Sequence, residues 1–395
     1  MRVLPTQHQA KVLDRLFGAY RYGYNQTIRN FGNINYAAAE ADKKYKLRAP
    51  TKTETRNKLL YKGAVKPDWF NEVPNDIIEY GSRSATVSIG NAITLFYKKH
   101  KKSVLNMLKR KDLYQIMEVP VKNISKNKKS FFSSYFREES EKLKDVVMKL
   151  HYNHKLVDFT EIKHDFKVMK VGLNYYILHP IEFPTIVNDK KSIEDVVALD
   201  PGVRTFMGYF SNKNAGMIGS EYRLKRINHK IDEVVCKKRK STGSKHIKKI
   251  LGRSEQRLRS KLKHLTDEIH WKTANYLTKE FNTILIPKFE TQKLVEKERP
   301  DGKPRLLPKS SARTMLTWSH FKFRTRLITK AKQRGVHVHI VHENYTSKTC
   351  TRCGHMNQKF KEPKEFKCCN CGFTCDRDTN AARNILILNV QANFC

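Results

Sequence analysis

The sequence predicts a multidomain α+β protein: a small β-barrel interrupted by a long helical insertion, then an α/β domain into which a cysteine-rich ribbon is inserted. Three observations carry that expectation. A lone strand candidate, Arg2-Val3-Leu4, is cut off by Pro5 and followed by a long stretch of helical periodicity. From Ile193 onward, short apolar runs alternate with helical stretches, the pattern of a parallel or mixed sheet. Near the C-terminus stand two Cys-x-x-Cys pairs, Cys350/Cys353 and Cys368/Cys371.

Taken in order, residues 1–7 supply the first strand of the barrel. Residues 8–102 form the helical region, with Val12, Leu13, Leu16, Phe17 and Tyr20 at helical spacing and a second helix opening at Val73-Pro74-Asn75-Asp76 and running from Ile77 to Tyr97. Residues 103–190 return to the barrel through strands at Val146–Tyr152, Phe166–Val171 and Tyr175–Leu178, the last two joined by a turn containing Gly172 and Asn174. The α/β domain takes 191–395. Its first strand, Val196-Val197-Ala198-Leu199, is apolar throughout, as a strand buried on both faces must be, and Met207–Phe210 pairs back as a hairpin. Helices fill Tyr222–Lys279 with a break at Ser241–Ser244. A strand at Phe281–Ile286, a helix at Ser319–Arg334 and a strand at Val336–Val341 complete the alternation. The ribbon occupies about 345–375.

Lys and Arg number 78 against 38 acids, a formal charge of +40 over 395 residues, and such a chain requires a polyanion to neutralise it. Nucleic acid is the partner this implies. No apolar run approaches the about 18 residues of a membrane span, so no membrane partner is expected. The segment Met1–Gln9 lacks the apolar core of a secretion signal, and five of the eight cysteines crowd into Cys350–Cys371. That usage fits metal binding in a reducing, intracellular compartment.

Cys350, Cys353, Cys368 and Cys371 have the spacing of a closed, structural Zn²⁺ site. Cys369 lies between them but lacks the two-residue spacing to Cys371, and Cys236, Cys375 and Cys395 read as ordinary thiols. Asp200 ends the first apolar strand ahead of Pro201-Gly202, a position that by itself marks only a turn or cap. Asp378 stands just ahead of an amphipathic helix, where a carboxylate can be held rigidly toward a divalent cation; Asp376 reads as a helix cap or a supporting group. His337, His339 and His342 follow strand alternation and exposure.

The order apolar strand, Asp, Pro-Gly, hairpin, helix, strand, acid, ribbon, Asp resembles the split RuvC nuclease domain of the RNase H fold. Within it, the chain is similar to the transposon-encoded RNA-guided nucleases TnpB and their eukaryotic and giant-virus relatives, Fanzor. Leu199-Asp200-Pro201-Gly202-Val203-Arg204-Thr205-Phe206 resembles their first motif, Tyr345–Cys350 their ribbon entry and Asp376–Ile385 their third motif. Phe17–Tyr22 and Tyr24-Asn25 resemble their first recognition helix, and His270-Trp271-Lys272-Thr273-Ala274 is Fanzor-like. The resemblance implies an RNase H-like (RuvC) domain with an inserted zinc ribbon, a wedge barrel and a recognition domain. It also implies a Mg²⁺-dependent endodeoxyribonuclease with two metal ions, a guide RNA of the omega-RNA kind and target double-stranded DNA, working as a monomer in a ribonucleoprotein. A nuclear location follows if the host is eukaryotic.

The implied acids are Asp200, Asp378 and a glutamate that relatives carry where this chain has Pro287. Glu343 replaces it, with Glu290 as the alternative, as though proline and glutamate had exchanged neighbouring strands about 4.8 Å apart. The basic runs Lys237-Lys238-Arg239-Lys240 and Lys248-Lys249 read as a solvated face, a nuclear localisation signal or the lining of a nucleic-acid channel. Tyr20, Arg21 and Tyr24 are candidate nucleic-acid contacts, with core packing equally open for each tyrosine. A catalytically inactive guided repressor and a protein-only resolvase or transposase are the rival readings.

Overall fold

The structure is a computed structural model that describes residues 1–42, 44–60, 66–126, 128, 131–132, 149–150, 159–160, 162–182, 184, 195–241, 244–296, 304, 307–358 and 364–393. The chain divides into two compact units, Met1–Glu182 and Phe183–Cys395, where sequence placed a boundary near 190.

In the first unit, β1 (Arg2–Leu4) gives way at Pro5 to α1 (Gln7–Phe31). Thr6 and Gln9 cap that helix reciprocally, the Gln9 N–H donating to Thr6 Oγ1 at 3.2 Å and the Thr6 N–H to Gln9 Oε1 at 2.8 Å. Short helices α2 (Tyr36–Ala41) and α3 (Lys52–Leu60) lead to α4 (Asn75–Lys99). α1 and α4 touch backbone to backbone: a Cβ at Gly23 would lie 2.1 Å from the Ile78 carbonyl oxygen, and one at Gly81 2.1 Å from that of Tyr20. Only glycine permits that approach.

The strands β2 (Tyr114–Val119), β3 (Lys149–Leu150), β4 (Phe166–Val171) and β5 (Asn174–Leu178) join β1 in an antiparallel sheet of order β2-β4-β5-β1-β3. The first strand is thus recruited from across the helical insertion, Val3 pairing with Tyr175 and Leu150. Of the strand expected at Val146–Tyr152 only Lys149–Leu150 belongs to the described residues.

The second unit is built on β6 (Val196–Pro201), β7 (Thr205–Ser211) and β8 (Ala215–Ser220), followed by α5 (Glu221–Lys240) and α6 (Lys245–Glu280). Next come β9 (Thr283–Pro287), α7 (Thr291–Val295), α8 (Lys309–Trp318), α9 (His320–Gln333) and β10 (His337–Val341), then β11 (Glu365–Lys367), β12 (Thr374–Asp376) and α10 (Arg377–Asn393). The sheet order is β10-β9-β6-β7-β8, with β6, β9 and β10 parallel and β6-β7-β8 antiparallel.

Both faces of this sheet are covered. Val197, Leu199, Ile284 and Ile286 pack with residues of α6, α8 and α9, while Val196, Ala198, Leu285 and Val341 pack with Ile385 of α10. Side chains alternate along a strand, so Asp200 follows Val196 and Ala198 onto the face that α10 covers.

Candidate metal centres

The carboxylate centre forms where β6 meets the start of α10. Asp200 pairs in register with Gly208 of β7, and a Cβ on Gly208 would lie 3.4 Å from the Asp378 carbonyl oxygen and 3.5 Å from its Cβ. Asp378 therefore packs directly on the β7 residue that pairs with Asp200. Asp376 fixes the helix start, its Oδ1 accepting from the Asp378 N–H at 2.9 Å and the Thr379 N–H at 3.1 Å.

Glu343 reaches the same centre from the loop after β10. Val341 pairs with Pro287 at the ends of β10 and β9, so Glu343 emerges beyond the proline. The Thr346 hydroxyl donates to the Glu343 carbonyl at 3.0 Å. Asn384 of α10 in turn donates to the carbonyls of Thr346 and Thr349 at 2.8 and 2.7 Å, and Asn380 to that of Thr349 at 2.8 Å. Asn389 adds a bond to the His342 carbonyl at 3.4 Å. One helix thus carries Asp378 and fastens the loop that carries Glu343.

Electrostatics follow from that gathering. Burial, then the negative charges of Asp378 and Glu343, raise the Asp200 pKa well above the ordinary carboxylate range, and Arg377 opposes them. Burial likewise raises Glu343. Glu290 lies elsewhere, at the start of α7, paired with Lys288 at 2.8 Å, and is not among the charges acting on Asp200.

Behind Asp200, buried rings hold the Pro201–Val203 turn. Neutral His320 donates from Nε2 to the Gly202 carbonyl at 3.0 Å, and Trp318 from its indole to the Val203 carbonyl at 2.8 Å. Phe206 lies stacked with both His270 and His320, ring centres 5.1 and 5.3 Å apart.

In the ribbon, Cys350, Cys353, Cys368 and Cys371 bring their sulfurs within 4.8 Å of one another, the only such group among the described residues. Sγ distances of 3.7 Å for Cys350–Cys371 and 3.6 Å for Cys353–Cys368 match the about 3.8 Å edge of a tetrahedron with Zn–S bonds of about 2.3 Å. The two halves repeat one knuckle: Gly354 and Gly372, at φ +72° and +67°, donate their N–H groups to the carbonyls of Cys350 and Cys368 at 3.0 and 3.2 Å. The His355 backbone N–H leads in holding the Cys353 thiol down, while, against the Phe373 N–H, burial and hydrogen bonds with the other three thiols push Cys371 up. Cys369 turns away to donate to Asn357 Oδ1 at 3.0 Å.

Several expected contacts sit differently. Tyr20 is 4% exposed and belongs to the core with α4, its hydroxyl pushed up to about 12 by burial; of the two roles open to it, packing is the one seen. Tyr24 and Arg21 are half-buried and line a cavity of about 290 Å³ with Leu108, Lys109 and Tyr114. Lys237, Arg239, Lys240, Lys248 and Lys249 are exposed on α5 and α6, whereas Lys238 is tied to Glu255 at 3.2 Å. His337, His339 and His342 are exposed. Sequence reasoning passed over Gly208, Asn380 and Asn384; the asparagines, four residues apart and 1% and 4% exposed, were legible as polar residues on the buried side of a helix.

Residues 320–385 match the family described as Cas12f1-like, TNB domain. A transposase-named protein of Paramecium bursaria Chlorella virus 1 is 33% identical over 54% of this chain and 47% of its own length; the chain therefore spans about half of that relative. A TnpB-like protein of Acanthamoeba polyphaga mimivirus is 26% identical over 99% of this chain and 73% of its own. The CRISPR-associated endodeoxyribonuclease Cas12f1 of Sulfoacidibacillus thermotolerans is 34% identical over 20% of this chain and 19% of its own. The chain is thus similar to a TnpB-like protein along nearly its whole length and to Cas12f1-like proteins over a C-terminal segment.

Proposed function

We propose that the chain is an RNA-guided DNA endonuclease of the Fanzor kind, with an RNase H-like (RuvC) site formed by Asp200, Glu343 and Asp378. One observation carries this reading: acids from β6, the β10 loop and α10 lie within electrostatic reach of one another on one covered face of a mixed sheet, where burial and the charges of Asp378 and Glu343 raise Asp200. A buried like-charge cluster destabilises a fold unless it serves another purpose. Carboxylates are the hard oxygen ligands that Mg²⁺ prefers, so the donor set fits divalent ions, held by Asp200, Glu343 and Asp378. When bound, two such ions would activate water and stabilise the leaving oxygen of a phosphodiester.

The chain's own groups supply the positioning. Asp376 fixes the start of α10, Asn384 and Asn380 hold the Glu343 loop, and Trp318 and His320 hold the turn behind Asp200. The thiol tetrahedron fits a structural zinc with no open position. Exposed cations of α5 and α6 suit a phosphate backbone, in keeping with a guide RNA that pairs with one strand of target DNA while the protein reads duplex shape. We take the working form to be one chain in a ribonucleoprotein.

The test is guided cleavage with Asp200→Ala and Asp378→Ala. Each should abolish cutting and leave guided DNA binding nearly intact, because neither removes a phosphate contact. A variant that cuts at close to the parental rate would refute the assignment. A parental protein that binds with its copurified RNA and never cuts would establish the guided repressor instead.

A further inference from the structure

We propose that Arg377 is the resident counter-ion of the carboxylate centre: its guanidinium occupies the Asp378 oxygen that a divalent cation needs and leaves when that cation enters with a phosphate backbone. The inference rests on the metal-site reading above.

Arg377 donates from Nε at 3.1 Å and from Nη2 at 3.0 Å, both to Oδ1 of Asp378. Among the charged groups that act on Asp200, the other two are the acids Asp378 and Glu343. The guanidinium is thus the cation around which the acids are arranged. Among the described residues only the four cysteines already converge as a group of ligands; the three acids do not. Asp378 Oδ1 is engaged by its neighbour, so an ion that takes that oxygen needs the guanidinium to move.

The hold is of a kind that can be exchanged. Both donors end on one oxygen, not in the parallel two-oxygen fork that makes arginine–carboxylate pairs strong. The side chains are 24% and 21% exposed, so water can receive the departing guanidinium. Backbone anchoring does not depend on it either: the Arg377 N–H donates to the Lys364 carbonyl at 3.0 Å, and Asp376 caps the helix. Once Arg377 swings out, it carries a positive charge at the edge of the centre, where a phosphate oxygen can meet it. Ion and phosphate backbone each favour the same swung-out state, which by linkage makes their binding mutually favourable.

The experiment measures Mn²⁺ binding to zinc-loaded full-length protein by calorimetry and by the electron paramagnetic resonance of free Mn²⁺, without nucleic acid. Arg377→Gln should tighten Mn²⁺ binding about three- to tenfold, and Arg377→Lys, with the charge kept but a single donor group, should fall between it and the parent. Adding a phosphorothioate DNA duplex should tighten Mn²⁺ binding in the parent and do so less in the Gln variant. Equal or weaker Mn²⁺ binding in the Gln variant, with zinc content unchanged, overturns the proposal; if that variant misfolds, a Lys variant no tighter than the parent overturns it. Asp200→Asn separates the two readings: if it leaves parental Mn²⁺ binding untouched, the carboxylate site itself is wrong, whereas if it removes that binding while Arg377→Gln changes nothing, only the counter-ion role fails.

Discussion

Replacing Glu343 by Gln isolates the charge of the least conventional acid, since the amide keeps size and shape. Asp200 is raised by burial and by two neighbouring negative charges, one of them Glu343, and Glu343 is itself raised by burial. An acid whose folded pKa is raised binds its proton more tightly in the folded chain, so stability falls as pH climbs from the usual carboxylate range through the raised one. The metal-free protein bears more of that cost the higher the pH. Removing one charge of a partly buried like-charge set should return about 1 kcal/mol, or a melting temperature about 2–4 °C higher for a unit of this size. The gain should shrink as pH falls and vanish below the usual carboxylate range, where both acids are protonated in the folded and the unfolded chain. Cleavage moves the other way, falling at least about a hundredfold, the scale of losing one charge-stabilising group at a reacting centre. Melting in magnesium-free buffer, which leaves zinc in place, and guided cleavage with Mg²⁺ measure the two effects. A Gln variant that cuts normally, or that melts below the parent at pH 7.5, would refute the reasoning; normal cutting together with a dead Glu290→Gln would move the role to Glu290.

Cys368→Ser should lower bound zinc from one per chain to near none, while Cys369→Ser, whose thiol donates to Asn357, should keep the full complement by elemental analysis. Asn384→Ala removes the Asn384 donor from the Thr346 carbonyl and leaves the Thr349 carbonyl with Asn380, and should cost about 1–3 kcal/mol in urea unfolding; cleavage should fall with it, and unaltered cleavage would mean that the loop is held by other means. Burial lowers His270 and His320 to about 4. The unfolded chain then binds more protons, so stability is complete above about pH 6.5 and is lost as pH falls toward about 4. His320→Gln should flatten that acid limb by up to one proton, and an unchanged slope of unfolding free energy against pH would remove His320 from the account.

Much of the second unit was legible because local and tertiary signals agree there. Val196–Leu199 is apolar at every position since α10 covers one face and α6, α8 and α9 the other, and the helix starting after Asp376 announces itself by its cap. β8 was missed: Ala-Gly-Met-Ile-Gly-Ser has two glycines and little strand propensity, and it extends only because β7 offers it a partner. Tyr20 misled for the opposite reason. Its basic neighbours suggest a nucleic-acid face, but α1 turns that ring toward α4, where Gly81 meets its carbonyl. The helix expected from Ser319 is α9, which Ser319 at φ +51° sets off from α8, a helix that was missed. The choice between Glu343 and Glu290 could not be settled by spacing, because it depends on which loop folds back over the sheet, and that is written in hydrogen bonds from a helix far along the chain.

Those hydrogen bonds give the loop after β10 an unusual frame of reference. Glu343 takes its position from the asparagines of α10 more than from the strand that precedes it. A carboxylate mounted in this way keeps its alignment with Asp378 whatever the strand behind it does, since both travel on the same beam.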